Sequence, residues 1–235
     1  MFFDPLSGWG ELALALAAFI GSHVIPSRQP VRARLTAIAG ERAYLVAYSV
    51  LSLLPLGWLI QASANAPYVE LWPYADWQRL VPQLAMPPAL ALAVFGLTSP
   101  NPLSIGRRRG TRFDPEHPGI AGIVRHPVLW ATLLWSVSHL VPNGDLAHAI
   151  LFGVFTALSI AGMLLLDRRS RRRLGEAEWR SLSRNTSNLP FAPLRRGRVP
   201  RPDLSVVVKL AAALALYLLL LFTHPYFAGV PALAA

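Results

Sequence analysis

The sequence predicts an all-α fold: a polytopic integral membrane helical bundle of about six transmembrane helices, with both termini in the periplasm. Three observations predict it. The 235 residues are 54% hydrophobic and only 14% charged. Their charges fall in a few blocks separated by uncharged runs long enough to cross a bilayer. Arginines crowd alternate loops, which sets the orientation.

The apolar runs lie at about Gly8–Ile25, Ala43–Ala64, Leu80–Leu97, Val128–Val141, Leu146–Leu166 and Val206–Thr223. The first begins without the positive segment of a secretory signal and carries an interfacial Trp9, so it reads as a retained helix. The third contains Pro82, Pro87 and Pro88, which membrane helices tolerate when neighbours satisfy the freed carbonyls. The fourth is short for a span and calls for a start near Ile123 or a thin point of the structure. Between the fourth and fifth, Pro142-Asn143-Gly144-Asp145 reads as a tight helical hairpin with Asp145 capping the next helix, so those two helices pack side by side.

The first loop holds Arg28, Arg32, Arg34 and Arg42, and the third holds Arg107, Arg108, Arg109, Arg112 and Arg125. The fifth, from Arg168 to Arg201, is the most basic; the second has Arg79 and the fourth none. The positive-inside bias therefore places the odd loops in the cytoplasm and requires an even number of spans. Basic loops facing an anionic leaflet account for the net charge of +10 and leave no need for nucleic acid. The expected partner is the lipid bilayer, and the expected location is a bacterial inner membrane. Residues 1–235 read as one transmembrane domain with a basic cytoplasmic interfacial segment at about 167–203. Its interleaved Leu174, Trp179 and Leu182 fit a short helix on the membrane surface.

Cysteine is absent, so no disulfide or thiolate chemistry is available. No glycine-rich phosphate loop or serine elbow is present either. Carboxylates sit at helix ends or in loops (Glu41, Glu70, Asp145, Asp167), which argues against an ion pathway. The histidines are more informative, because ionisable groups at membrane depth are functional candidates. His117, His148 and His224 fall at interfaces or in loops. That leaves His23, His126 and His139 as candidate metal ligands. His126 and His139 are thirteen residues apart, about 20 Å along a helix, so they do not share one ion. Either is a candidate to pair with His23 from another helix, as histidines do in bundle-core haem sites.

Three stretches carry a resemblance to a known family: GSHVIPSRQPVRARLTAIAGERAYLVAYSVLSLLPLGWLI, APYVELW and HPGIAGIVRHPVLWATLLWSVSHLVPNGDLAHAILFG, which cover most of residues 21–166. In combination they resemble the NnrU family of bacterial membrane proteins, whose relatives include the plant 15-cis-zeta-carotene isomerases. The resemblance implies a haem b protein with axial histidines, related to enzymes that isomerise a cis double bond in a lipophilic polyene. It also implies an association with denitrification, where nitric oxide is handled. Carried over by motif, the axial pair is His23 and His139, whereas depth matches His126 better to His23. Ser136 stands where the plant relatives have a cysteine.

A more distant resemblance involves Ile123-Val124-Arg125-His126-Pro127-Val128, Leu174-Gly175-Glu176-Ala177-Glu178-Trp179 and Leu189-Pro190. These are similar to the C-terminal layout of isoprenylcysteine carboxyl methyltransferases and membrane sterol reductases. That layout implies a cytoplasmic cofactor pocket at Arg125 and His126, with Asp167-Arg168-Arg169 in place of the usual acidic pair. A non-catalytic membrane scaffold, with histidines that only bond between helices, is the third reading.

Overall fold

The computed structural model describes residues 5–26, 28–105, 113–192 and 204–233. Arg107, Arg108, Arg109 and Arg112 of the third loop, and the interfacial segment beyond residue 192, lie outside the described residues. Among the described residues the chain is all-helical: α1 (Pro5–Val24), α2 (Gln29–Asn65), α3 (Leu80–Thr98), α4 (Pro127–Leu140), α5 (Leu146–Leu174), α6 (Glu176–Ser183) and α7 (Leu204–Ala228). Short 3₁₀ turns at Asp76–Arg79 and Gly119–Gly122 precede α3 and α4.

Against six expected spans, four helices among the described residues are long and apolar enough to cross a membrane: Gln29–Asn65, Asp76–Thr98, Leu146–Leu174 and Leu204–Ala228. The apolar part of α1, Gly8–Val24, is shorter. The 14 residues of α4 reach about 21 Å, less than the roughly 30 Å of bilayer hydrocarbon. Pro127 starts α4 at its first turn, where no amide hydrogen is needed, and holds His126 outside the helix at φ −117°, ψ 69°. The prolines of α3 do not interrupt it. α2 is broken at Gly40, whose φ of 78° suits a residue without a β-carbon. That break separates a basic first part, with Arg32 and Arg34, from a remainder that begins with Glu41-Arg42 and is uncharged from Ala43 on.

The chain divides into two compact units, Met1–Pro73 with Gly144–Leu151 and Tyr74–Asn143 with Phe152–Ala235. In the first, α1 packs on α2. Leu12, Ala15 and Phe19, spaced three and four apart, form the buried face of α1, and Tyr44, Leu59 and Ala62 are buried on α2. The loop before α3 pairs with the turn before α5: the Leu71 and Trp72 amides donate to the Gly144 carbonyl (2.7 and 3.1 Å), and the Leu146 amide donates to Val69 (2.9 Å). Asp145 caps α5 as expected, its Oδ1 accepting from the His148 amide at 3.1 Å.

In the second unit α3 packs on both α4 and α7. The side-by-side arrangement of α4 and α5 is also found: Ser136 and Thr156 share a hydroxyl bond of 3.0 Å, and Trp135 meets Phe152 and Phe155 edge-on. α3 approaches α4 closely because Gly96 has no side chain, as small residues allow in membrane bundles. A β-carbon there would lie 2.8 Å from Val128 Cγ2 and 2.9 Å from Pro127 Cγ. Gly96→Ala is therefore expected to lower stability by about 1–3 kcal/mol, read as the unfolding midpoint in detergent. An unchanged midpoint would refute this tight seam.

Candidate functional site

Two of the three candidate histidines sit in matching local settings. His23 closes α1 and His139 closes α4. The imidazole Nδ1 of each lies 2.8 Å from the carbonyl four residues earlier, Phe19 and Trp135 respectively. A carbonyl only accepts, so Nδ1 is the donor, and in the neutral imidazole the free lone pair is on Nε2. Neither Nε2 has a hydrogen-bond partner among the described residues. In both cases the preceding serine bonds the same carbonyl, Ser22 at 2.8 Å and Ser138 at 3.1 Å. Each imidazole also rests against the ring four residues back, 4.2 Å from Phe19 and 5.8 Å from Trp135 between centroids.

The two segments, Phe19-Ile20-Gly21-Ser22-His23 and Trp135-Ser136-Val137-Ser138-His139, thus share an aromatic-x-x-Ser-His pattern. One belongs to each unit. In the first unit Tyr48 from α2 approaches His23 edge-on at 6.3 Å, and Tyr44 anchors the end of α1 by donating to Pro26 at 3.0 Å. In the second, Phe152 of α5 stands 5.7 Å from the His139 ring.

His126 is placed differently, at the opposite end of α4 from His139. It is fully buried, and both its nitrogens are committed: Nε2 faces Asp167 Oδ1 at 3.1 Å and Nδ1 faces Ser104 Oγ at 3.1 Å. In this structure His126, expected as a candidate metal ligand, spends both ring nitrogens on protein partners.

Arg125 is equally occupied. Its Nη1 pairs with Asp167 Oδ2 at 2.5 Å, Nε donates to Thr186 Oγ1 at 2.9 Å, and Nη2 reaches the Thr186 carbonyl at 3.3 Å. Asn188 donates to the same carboxylate at 2.9 Å, and Asn101 to the Arg125 carbonyl at 2.8 Å. The Arg125 guanidinium also lies over the Trp179 ring, 5.2 Å from its centroid. Segments at 101–104, 125–126, 167 and 186–188 thereby converge on one carboxylate. Arg125, expected to bind a cofactor, here forms with Asp167, His126 and Asn188 a buried polar clamp, in which Asn188 Oδ1 has no hydrogen-bond partner among the described residues.

Asp167 is the residue that sequence reasoning underrated: a carboxylate directly after an apolar run looks like a helix end. Lys209 was missed altogether, although it is the one cation inside an uncharged run. Its ammonium donates to Ser99 at 3.1 Å and lies 5.4 Å from the Phe95 ring centre, joining α7 to α3. The remaining histidines have local partners. His148 pairs with Asp145 (2.7 Å), His224 with the Val230 carbonyl (2.7 Å), and His117 with Asp114 (2.8 Å). The hydrogen bond from His117 holds the exposed Asp114 carboxyl below the usual carboxylate range. No group of three or more His, Asp or Glu suited to a metal ion occurs among the described residues. Axial ligation of a haem requires no such group.

The family model described as "NnrU protein" matches residues 11–232. The chain is similar to 15-cis-zeta-carotene isomerase, chloroplastic, of Arabidopsis thaliana, at 25% identity over 200 residues. That match covers 84% of this chain and 54% of the relative, so the chain spans about half the length of the curated protein it matches. No solved structure matches.

Proposed function

Because the chain belongs to the NnrU family, we propose that it is a haem b protein of the bacterial inner membrane, with His23 and His139 as axial ligands, acting as a redox-dependent cis–trans isomerase of a lipophilic polyene. The observation that carries this reading is the pair of aromatic-x-x-Ser-His segments, each with Nδ1–H tied to its own helix and Nε2 left available. Imidazoles that ligate metals are oriented by this kind of second bond. Each imidazole has apolar rings beside it within its own unit, Phe19 and Tyr48 at His23 and Trp135 and Phe152 at His139, which suits an apolar macrocycle. The same reading places α1 and α4 as the remaining two of six spans, with both termini periplasmic.

When bound, the haem would supply one-electron exchange with the polyene. His23 and His139 would hold the haem, each imidazole oriented by its Nδ1 bond to the carbonyl four residues earlier. Ser136 supplies no redox partner: it is fully buried and bonded to the Leu133 carbonyl and Thr156 hydroxyl. The similarity to a zeta-carotene isomerase favours a polyene substrate over the nitric oxide role.

The test is the visible spectrum of protein purified in detergent from haem-replete cells. A Soret band is expected in the wild type, lost in His23→Ala, weakened and shifted in His139→Ala, and unchanged in His148→Ala. A folded, colourless wild type overturns the proposal.

A further inference from the structure

We infer that the end of α5, together with Trp179 of α6, is a docking site for the headgroup of an anionic phospholipid. α5 is 29 residues long, about 44 Å, which exceeds the roughly 30 Å of hydrocarbon in a bilayer. With Leu146 at one membrane face, Asp167 lies about 32 Å along the helix and Arg168–Arg173 lie beyond it, at headgroup level. Arg168, Arg169, Arg171 and Arg172 are exposed, and none pairs with a carboxylate among the described residues. The nearest acid, Asp167, is already engaged by Arg125, His126 and Asn188.

A run of uncompensated arginines is commonly a solvated face, but a second observation points to a ligand. Trp179 is 7% exposed, and its indole N–H is buried without an acceptor. The ring lies under two guanidinium groups, Arg171 at 3.9 Å and Arg125 at 5.2 Å from its centroid. Arg125 is neutralised by Asp167; Arg171 is not. A phosphodiester beside Arg171 brings both the charge that Arg171 lacks and an acceptor for the indole. It sits where the membrane itself presents such groups. Because Trp179 also stacks on Arg125, a bound headgroup braces the buried clamp around Asp167.

The experiment compares the full chain in nanodiscs of phosphatidylcholine alone with nanodiscs that also carry phosphatidylglycerol. Two quantities are read: the thermal unfolding midpoint, and the phosphatidylglycerol retained on extraction, by native mass spectrometry. The wild type is expected to unfold at a higher temperature with phosphatidylglycerol. Arg171→Gln should retain about fivefold less of it, from roughly 1 kcal/mol per arginine near an anionic surface. Trp179→Phe, which keeps the ring and loses the N–H, should retain less than the wild type. Arg180→Gln should match the wild type, because Arg180 is exposed and paired with Glu176 at 2.8 Å.

Equal midpoints in the two nanodiscs, with no more phosphatidylglycerol than phosphatidylcholine retained on extraction, overturn the inference. An equal loss in Arg171→Gln and Arg180→Gln also overturns it, since the attraction is then diffuse. If inorganic phosphate in detergent reproduces the whole shift, the occupant is a free anion and the lipid assignment fails.

Discussion

Replacing Asp167 by alanine is expected to lower unfolding stability by about 3–5 kcal/mol, the usual cost of removing one partner from a buried ion pair. The effect is large because one carboxylate serves three groups: the Arg125 guanidinium, the His126 imidazole and the Asn188 amide. Arg125 and His126 are 9% and 0% exposed, so water cannot take the place of the lost acceptor. The loss also releases the segment after α6, which Arg125 holds through the Thr186 side chain and carbonyl and through its backbone N–H, which donates to the Ser187 carbonyl at 2.7 Å. Chemical or thermal unfolding in detergent reads the effect, and proteolysis near residues 184–190 reads the release. Asp167→Asn, which keeps the shape and one acceptor, should recover part of the loss. An Asp167→Ala variant within 1 kcal/mol of wild type would refute the clamp.

Gly144→Ala is expected to destabilise by about 3 kcal/mol, the upper end of the usual cost of overpacking. The added β-carbon would run into the Trp72 carbonyl and lie 2.8 Å from Trp72 Cδ1. Backbone cannot yield here. The Gly144 carbonyl accepts from both Leu71 and Trp72, and Leu146 is tied to Val69. Gly153→Ala is the matched comparison: its β-carbon would meet nothing within 4 Å, and alanine favours the helix. Thermal unfolding should separate the two clearly, with Gly153→Ala at or above wild type. If both behave alike, close approach at Gly144 is not what the turn requires.

Much of the fold is legible in the sequence because membrane helices announce themselves by runs of uncharged residues. The hairpin at Pro142–Asp145 is legible too, since capping is local chemistry, and Asp145 does cap α5. The lengths of α1 and α4 are less so: Val128–Val141 is visible as short, but what closes its end is tertiary. There Pro127 begins the helix inside protein, with Asn101, Leu103 and His126 fully buried around it. Trp179 shows the same limit. Interleaved with arginines it resembles a residue facing the membrane, yet it is buried, with the nearby Arg171 and the sequence-distant Arg125 stacked on its ring. Apolar surroundings single out His23, His126 and His139 together and do not separate them. The aromatic ring four residues before His23 and His139 and the serine just before each are equally visible in the sequence, but acquire meaning only with the helical geometry that brings them to one carbonyl.

That geometry sets both histidine segments locally. The bond that sets the imidazole tautomer and the ring that flanks it both come from the same helical turn, Phe19 to His23 in one case and Trp135 to His139 in the other. Nothing from another helix is needed to aim Nε2. Five consecutive residues therefore set the orientation and the flanking ring of each imidazole, and under the proposed haem ligation a single helical turn would aim the donor atom.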